Sequence, residues 1–121
     1  MRLAGCHSAQ LTFVYVIDES VASGLAEASG QDLRQVQHDL GKSGQRYLHY
    51  LTRLAAGVKL TSSQVVRQGE PYEEITALAR EQNVDLIVIG QVGRRGLKHI
   101  LIGSVTERVI EHASCPVMVV K

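Results

Sequence analysis

Hydrophobic positions along this chain follow two periods. "LTFVYVI", residues 11–17, is an almost unbroken run of β-branched, aromatic and aliphatic residues that exits through the polar "DES", the pattern of a buried strand ending in a loop. Residues 20–30 are small and polar and read as a connection. Leu33, Val36, Leu40, Tyr47, Leu48, Leu51 and Leu54 then recur at helical spacing and predict one long amphipathic helix. Gly41 and Gly44 interrupt it. Each costs roughly 1 kcal/mol of helix propensity relative to Ala, which points to close packing rather than a kink.

The alternation continues beyond Gly57. "VKLTSSQVVRQG" predicts a second strand, clearest at 63–66 and ending at Gly69. Pro71 suits the first turn of a helix, Glu73 and Glu74 favour the positive end of its dipole, and Ile75, Leu78 and Ala79 supply its buried face. "VDLIVIG" is the most strand-like segment of all, apolar on both faces as in a covered parallel sheet. A short helical piece is predicted around 97–101. Ser104 with Glu107 forms the S-x-x-E capping box ahead of a last helix, and Pro116 leads into a final strand, Val117 to Val120. Strands alternating with helices predict the α/β class, a doubly wound parallel sheet with helices on both faces. In such sheets ligands lie beyond the carboxyl ends of the strands, where Gly90 falls.

Composition narrows the field. At 121 residues the chain is read as a single domain, 1–121. A formal charge of +1 supplies no global field for nucleic acid or an anionic membrane, so neither is an expected partner. The longest apolar runs are too short to span a bilayer, and "MRLAGCHSAQ" lacks the apolar stretch of a secretory signal. Cys6 and Cys115 are too few and too far apart for a disulfide framework or a zinc site. They read as bystander thiols in a reducing cytoplasm.

The candidate chemistry lies in "GQVGRRGLKHILIGSVTERV", residues 90–109. Glycine lets backbone approach a phosphate and reaches the dihedral angles of an anion nest, a part Gly90 and Gly93 could play. Gly103 and Ser104 stand at a helix mouth, where free N–H groups and the dipole favour an anion. Arg94, Arg95, Lys98 and His99 add positive charge between the two ends. On these residues alone an ordinary strand, turn and helix fits as well, with Ser104 as a plain helix cap. The stretch contains no G-x-x-x-x-G-K-[ST] loop and no G-x-G-x-x-G fingerprint.

Gly90-x2-Gly93-x9-Gly103-Ser104 matches the G-x2-G-x9-G-[ST] signature of the ATP-binding branch of the universal stress protein family. "FVYVIDES", "VVRQGEPYEEI" and "SCPVMVVK" resemble the family in the same order, so the resemblance runs from about residue 3 to 121. It implies an adenine nucleotide α-hydrolase-like, Rossmann-like fold and ATP as ligand. The triphosphate would be held by Gly90, Gly93, Gly103 and Ser104, with Arg94 nearby and Val105 and Thr106 as further backbone or hydroxyl contacts. The adenine would meet the main chain at Val16. Magnesium or manganese, where present, would be held by the phosphates, so no protein metal ligands are expected. The resemblance also implies a homodimer paired through Val117 to Val120. Family members open with a strand carrying an Asp that contacts the nucleoside. Here "RLAGCHSAQ" resembles the end of the following helix, so the expectation is an N-terminally truncated domain lacking about 25 residues, by ordinary element lengths.

Three functions compete. The first is a cytoplasmic ATP-binding regulator of the stress response. The second is a dimerisation module of the same fold that binds no nucleotide. The third is a weak ATPase, for which His99, Glu107 and His112 are the groups that could orient water, each with a plainer reading as a helix-surface or capping residue. Asp18 and Glu19 could face a ligand mouth or be solvated loop acids.

Overall fold

The computed structural model describes residues 10–91 and 102–121. The chain divides into two compact units, 1–69 and 70–121. In the first, β1 (Leu11–Asp18) is followed by α1 (Glu19–Ser29), α2 (Leu33–Gly57) and β2 (Ser62–Gly69). In the second, α3 (Pro71–Glu81), β3 (Ile87–Gly90), α4 (Ser104–His112) and β4 (Val117–Val120) follow in that order.

Each unit is built on a parallel strand pair. β1 pairs with β2 in a register that sets Phe13 opposite Gln64, Tyr15 opposite Val66 and Asp18 opposite Gly69. β3 pairs with β4, Ile87 opposite Val117 and Gly90 opposite Val120. Among the described residues these are two-stranded sheets. Parallel neighbours require a crossover, and helices supply it in both units, in agreement with the α/β class read from the alternation.

α1 corrects the expectation of a connection at 20–30. The Asp18 carboxylate accepts from the backbone N–H of Ser20 at 3.0 Å and of Val21 at 3.4 Å, and from the Ser20 hydroxyl at 2.7 Å. Two orphan donors of the first turn are thereby satisfied. At the other end Gly30 takes the left-handed conformation, φ 71°, that closes a helix without a Cβ clash. Between these signals lie Leu, Ala and Glu residues with good helix propensity, and Ala22 is fully buried.

α2 runs unbroken through both glycines. Its buried stripe is Val36, Gly44, Leu48 and Ala55, whereas Leu33, Tyr47 and Leu54 of the apolar series are substantially exposed. A Cβ at Gly44 would overlap the ring of Tyr15, 2.6 Å from Cγ, and one at Gly41 would lie 3.3 Å from Ile17 Cδ1. The glycines therefore let the helix backbone approach β1, as close packing requires.

In the second unit Ala79, Ile87 and Val109 form the buried centre, with Ile75, Val84, Ile89, Val105, Cys115 and Val117 packed around it. Cys115 is a free, half-buried thiol, and Cys6 lies outside the described residues. The helical piece expected at 97–101 also lies outside them. No helix among the described residues is long and apolar enough to cross a membrane.

Candidate functional site

The carboxyl end of β3 and the start of α4 meet through short hydrogen bonds. The Gln91 N–H donates to the Val120 carbonyl at 2.7 Å, which prolongs the β3–β4 ladder by one residue. The Gly103 N–H donates to the Gln91 carbonyl at 2.7 Å. Three residues into the helix, the Thr106 hydroxyl donates to the Gly90 carbonyl at 2.7 Å. Thr106 is 2% exposed, so this bond lies within the fold. Strand end and helix mouth are tied at two points. Below them Val105 and Val109 anchor α4 on the unit's core.

The helix mouth differs from the capping box read in the sequence. α4 begins at Ser104, with Gly103 as N-cap at φ −70° and ψ 154°, and no side chain caps it. The one-residue shift moves Ser104 inside the helix and takes Glu107 away from the box position, because the Gly103 carbonyl already accepts the first helical bond, from the Glu107 N–H at 3.0 Å. Among the described residues no side chain accepts from the N–H groups at the head of α4, at the positive end of the dipole. Such a terminus accommodates an anion.

Gly90, Gly103, Ser104, Val105 and Thr106 are therefore gathered at one corner of the second unit. Gly90 does not form a nest there. It is the last residue of β3, held extended opposite Val120, because its backbone is engaged in the ladder. Val16 lies in the first unit, half-buried on β1 opposite Arg67 and two residues before the strand ends. Gly93 and Arg94 lie outside the described residues, as do Arg95, Lys98 and His99.

Of the other candidates, Glu107 is in the first turn of α4 and His112 in its last. His112 Nδ1 lies 2.8 Å from the Arg108 carbonyl, and its ring packs against Tyr72 with centroids 4.8 Å apart. The Arg108 guanidinium lies over the Tyr72 ring at 5.4 Å and pairs with Glu70 at 3.3 Å. The Tyr72 hydroxyl, which donates to Glu73 at 3.3 Å, titrates above its usual value, first because the ring is partly withdrawn from water and then because of the Glu73 charge. Asp18 is the cap of α1, a structural role. Sequence reasoning missed the part played by the Gln91 carbonyl, a backbone contact that leaves no residue-type signal.

The universal stress protein family model matches residues 1–121. Universal stress protein MJ0531 of Methanocaldococcus jannaschii is 40% identical over 124 residues, an alignment covering 100% of this chain and 70% of that protein. Universal stress protein YxiE of Bacillus subtilis is 29% identical, covering 100% of this chain and 85% of that protein. Among solved structures, that of hypothetical protein MJ0577, from the same archaeon, superposes with a TM-score of 0.80 at 30% identity, covering 93% of this chain and 76% of that one. UspA from Lactobacillus plantarum superposes with a TM-score of 0.84 at 24% identity, covering 99% of this chain and 83% of that one, a likeness of fold.

Proposed function

This chain belongs to the universal stress protein family, and on that premise we propose that it is a nucleotide-binding regulator of the stress response that holds ATP where β3 meets α4. One observation carries the reading: the head of α4 has no side-chain cap, while Gly103 and Thr106 fix it against the end of β3. The N–H groups of the first turn, which no described side chain caps, fit a phosphate chain. The backbone N–H of Ser104 is the phosphate seat, with Val105 contributing its N–H while its side chain packs in the core, and Gly103, whose own N–H is given to Gln91, leaves room for the ligand. Thr106 serves through its hydroxyl as a strut, since that group's proton is given to Gly90. Gly90 and Gly93 allow close approach, and Arg94 supplies charge. Magnesium or manganese enters with the phosphates, which carry most of its ligands.

As such a regulator the protein acts in the cytoplasm as a homodimer paired through Val117 to Val120. Met118, Val119 and Val120 are 42%, 36% and 42% exposed, an apolar strand that a second copy would cover.

Calorimetric titration with ATP and magnesium tests the reading on Gly103→Val. The φ and ψ of Gly103 are ordinary extended values that valine adopts without backbone strain, so the variant adds bulk at the phosphate seat. Affinity is expected to fall at least tenfold. Equal affinity in variant and wild type refutes the seat. A wild-type homodimer that takes up no ATP would favour the dimerisation module instead.

A further inference from the structure

The first unit carries a second surface, remote in chain position from the phosphate seat. Along α2, His38, Lys42, Arg46, His49 and Arg53 follow one another at steps of four, four, three and four residues, so they share a single stripe. All five are exposed. α2 carries four fixed cations, Arg34, Lys42, Arg46 and Arg53, against one acid, Asp39, whose carboxylate accepts from Gln35 at 3.0 Å. The stripe is thus far more basic than a chain of net charge +1 requires.

The stripe borders a strand edge. Gly44 abuts Tyr15, Gly41 abuts Ile17, and Gln64 Nε2 donates to Thr52 at 2.7 Å. α2 therefore covers the sheet face that carries residues 13, 15 and 17 of β1 and 64, 66 and 68 of β2. It does not reach the outer rim, because Val66 on that face remains 38% exposed. Lys42, Gln45, Arg46, His49, Gln64 and Val66 line the open groove left there, about 620 Å³, with no carboxylate among them. Among the described residues β2 pairs with no strand but β1, so the backbone groups that alternate residues turn to its other edge face no further strand. An exposed edge of this length is ordinarily blunted by charged side chains, Pro or a bulge. β2 carries a single charge, Arg67, on the face away from Gln64 and Val66, no Pro, and a register with β1 that is continuous.

We propose that the groove between α2 and the outer edge of β2 receives an extended acidic peptide segment of a partner protein, which pairs with β2 as a further strand and sets its carboxylates against Lys42 and Arg46. A strand satisfies the backbone ladder, which neither a folded helix nor a free anion does. Every second side chain of that strand lies on the α2 side, at intervals of about 6.7 Å. Lys42 and Arg46 are separated by one helical turn, about 6 Å along the axis, so successive carboxylates on that side meet successive cations. Val66 offers the apolar floor between them. The groove lining has no Phe, Tyr or Trp, its one ring being the His49 imidazole, and a nucleic acid cannot satisfy a strand's backbone ladder, which favours the peptide over RNA. The same stripe repels basic strands and so selects what may pair with the edge.

Fluorescence anisotropy on the full chain tests this with five labelled probes. These are a capped octapeptide alternating Glu and Val, its Lys and Val counterpart, the acidic peptide N-methylated at alternate amides in each of the two registers, and octauridylate RNA. The acidic peptide is expected to bind, with affinity at least tenfold weaker for the Lys42→Glu/Arg46→Glu protein and for one N-methylated register. The Lys peptide is expected not to bind. Absence of binding by the acidic peptide, equal binding by both N-methylated registers, equal binding by the Lys peptide, or tighter binding by octauridylate would each overturn the proposal. The N-methylated arm leaves the protein unaltered, so it remains decisive should the double variant fold poorly.

Discussion

Replacing Gly44 by Ala sets two effects of known size against each other. In the interior of a helix the change raises propensity by about 0.8–1.0 kcal/mol. At this site the new Cβ would stand 2.5 Å from Tyr15 Cε1 and 2.6 Å from Cγ, distances no carbon pair tolerates. The ring is rigid and rooted in β1, so relief requires α2 to move off the strand or the ring to leave its place. Overpacking of this kind costs about 1–3 kcal/mol, and contact with a rigid ring belongs in the upper half of that range. Net destabilisation of about 1–2 kcal/mol follows, or a fall in Tm of about 3–8 °C for a chain of this size. Gly41→Ala is the control. Its Cβ meets only the flexible end of Ile17, at 3.3 Å, so the propensity gain prevails and the variant is expected to match or exceed wild type by up to about 1 kcal/mol. Urea and thermal unfolding of both variants read the difference. A Tyr15→Leu background should recover at least half of the Gly44→Ala penalty, since the two residues touch and their effects are not additive. Gly44→Ala as stable as wild type, or a penalty unchanged by Tyr15→Leu, would refute the close-approach explanation of these glycines.

Three further outcomes are expected. Asp18→Ala removes the cap of α1 and should cost about 1 kcal/mol in urea unfolding, while Asp18→Asn, which keeps a side-chain oxygen, should cost less. Thr106→Val deletes the donor to the Gly90 carbonyl at a nearly inaccessible position, so stability should fall by about 1–3 kcal/mol and ATP affinity with it, whereas Thr106→Ser should retain most of both. Tyr72→Phe should remove from the tyrosinate absorbance titration a component above the ordinary value of 10.0. The sign follows from the neutral phenol being favoured in the folded state: its contribution to stability is present below that ordinary value and is lost as pH rises through the higher folded one. Loss of a component at or below 10.0 would contradict the assignment.

The parts of the fold that were legible in the sequence are those with long runs and strong punctuation. β1, α2, α3 and β4 follow from an apolar run, a helical period sustained past residue 50, Pro71 ahead of two glutamates, and Pro116 ahead of "VMVV". α1 was hidden because its buried face is essentially one alanine, too small to register as hydrophobic period, and because Asp18 and Gly30 resemble loop residues until they are paired as cap and stop. The start of α4 was legible in place and wrong in register by one residue. S-x-x-E reads as a capping box at Ser104, yet a glycine can serve as N-cap too, and a side-chain pattern cannot tell which of two adjacent residues the backbone will use. The difference is chemical. A capped Ser104 terminus would have spent an orphan N–H on its own side chain, whereas the Gly103 terminus leaves those donors to whatever occupies the corner. Thr106 shows the converse limit. Its type and its place near a helix start suggest a ligand hydroxyl, and only the approach of Gly90, sixteen residues earlier in the chain, turns that hydroxyl into the brace holding strand end and helix mouth together.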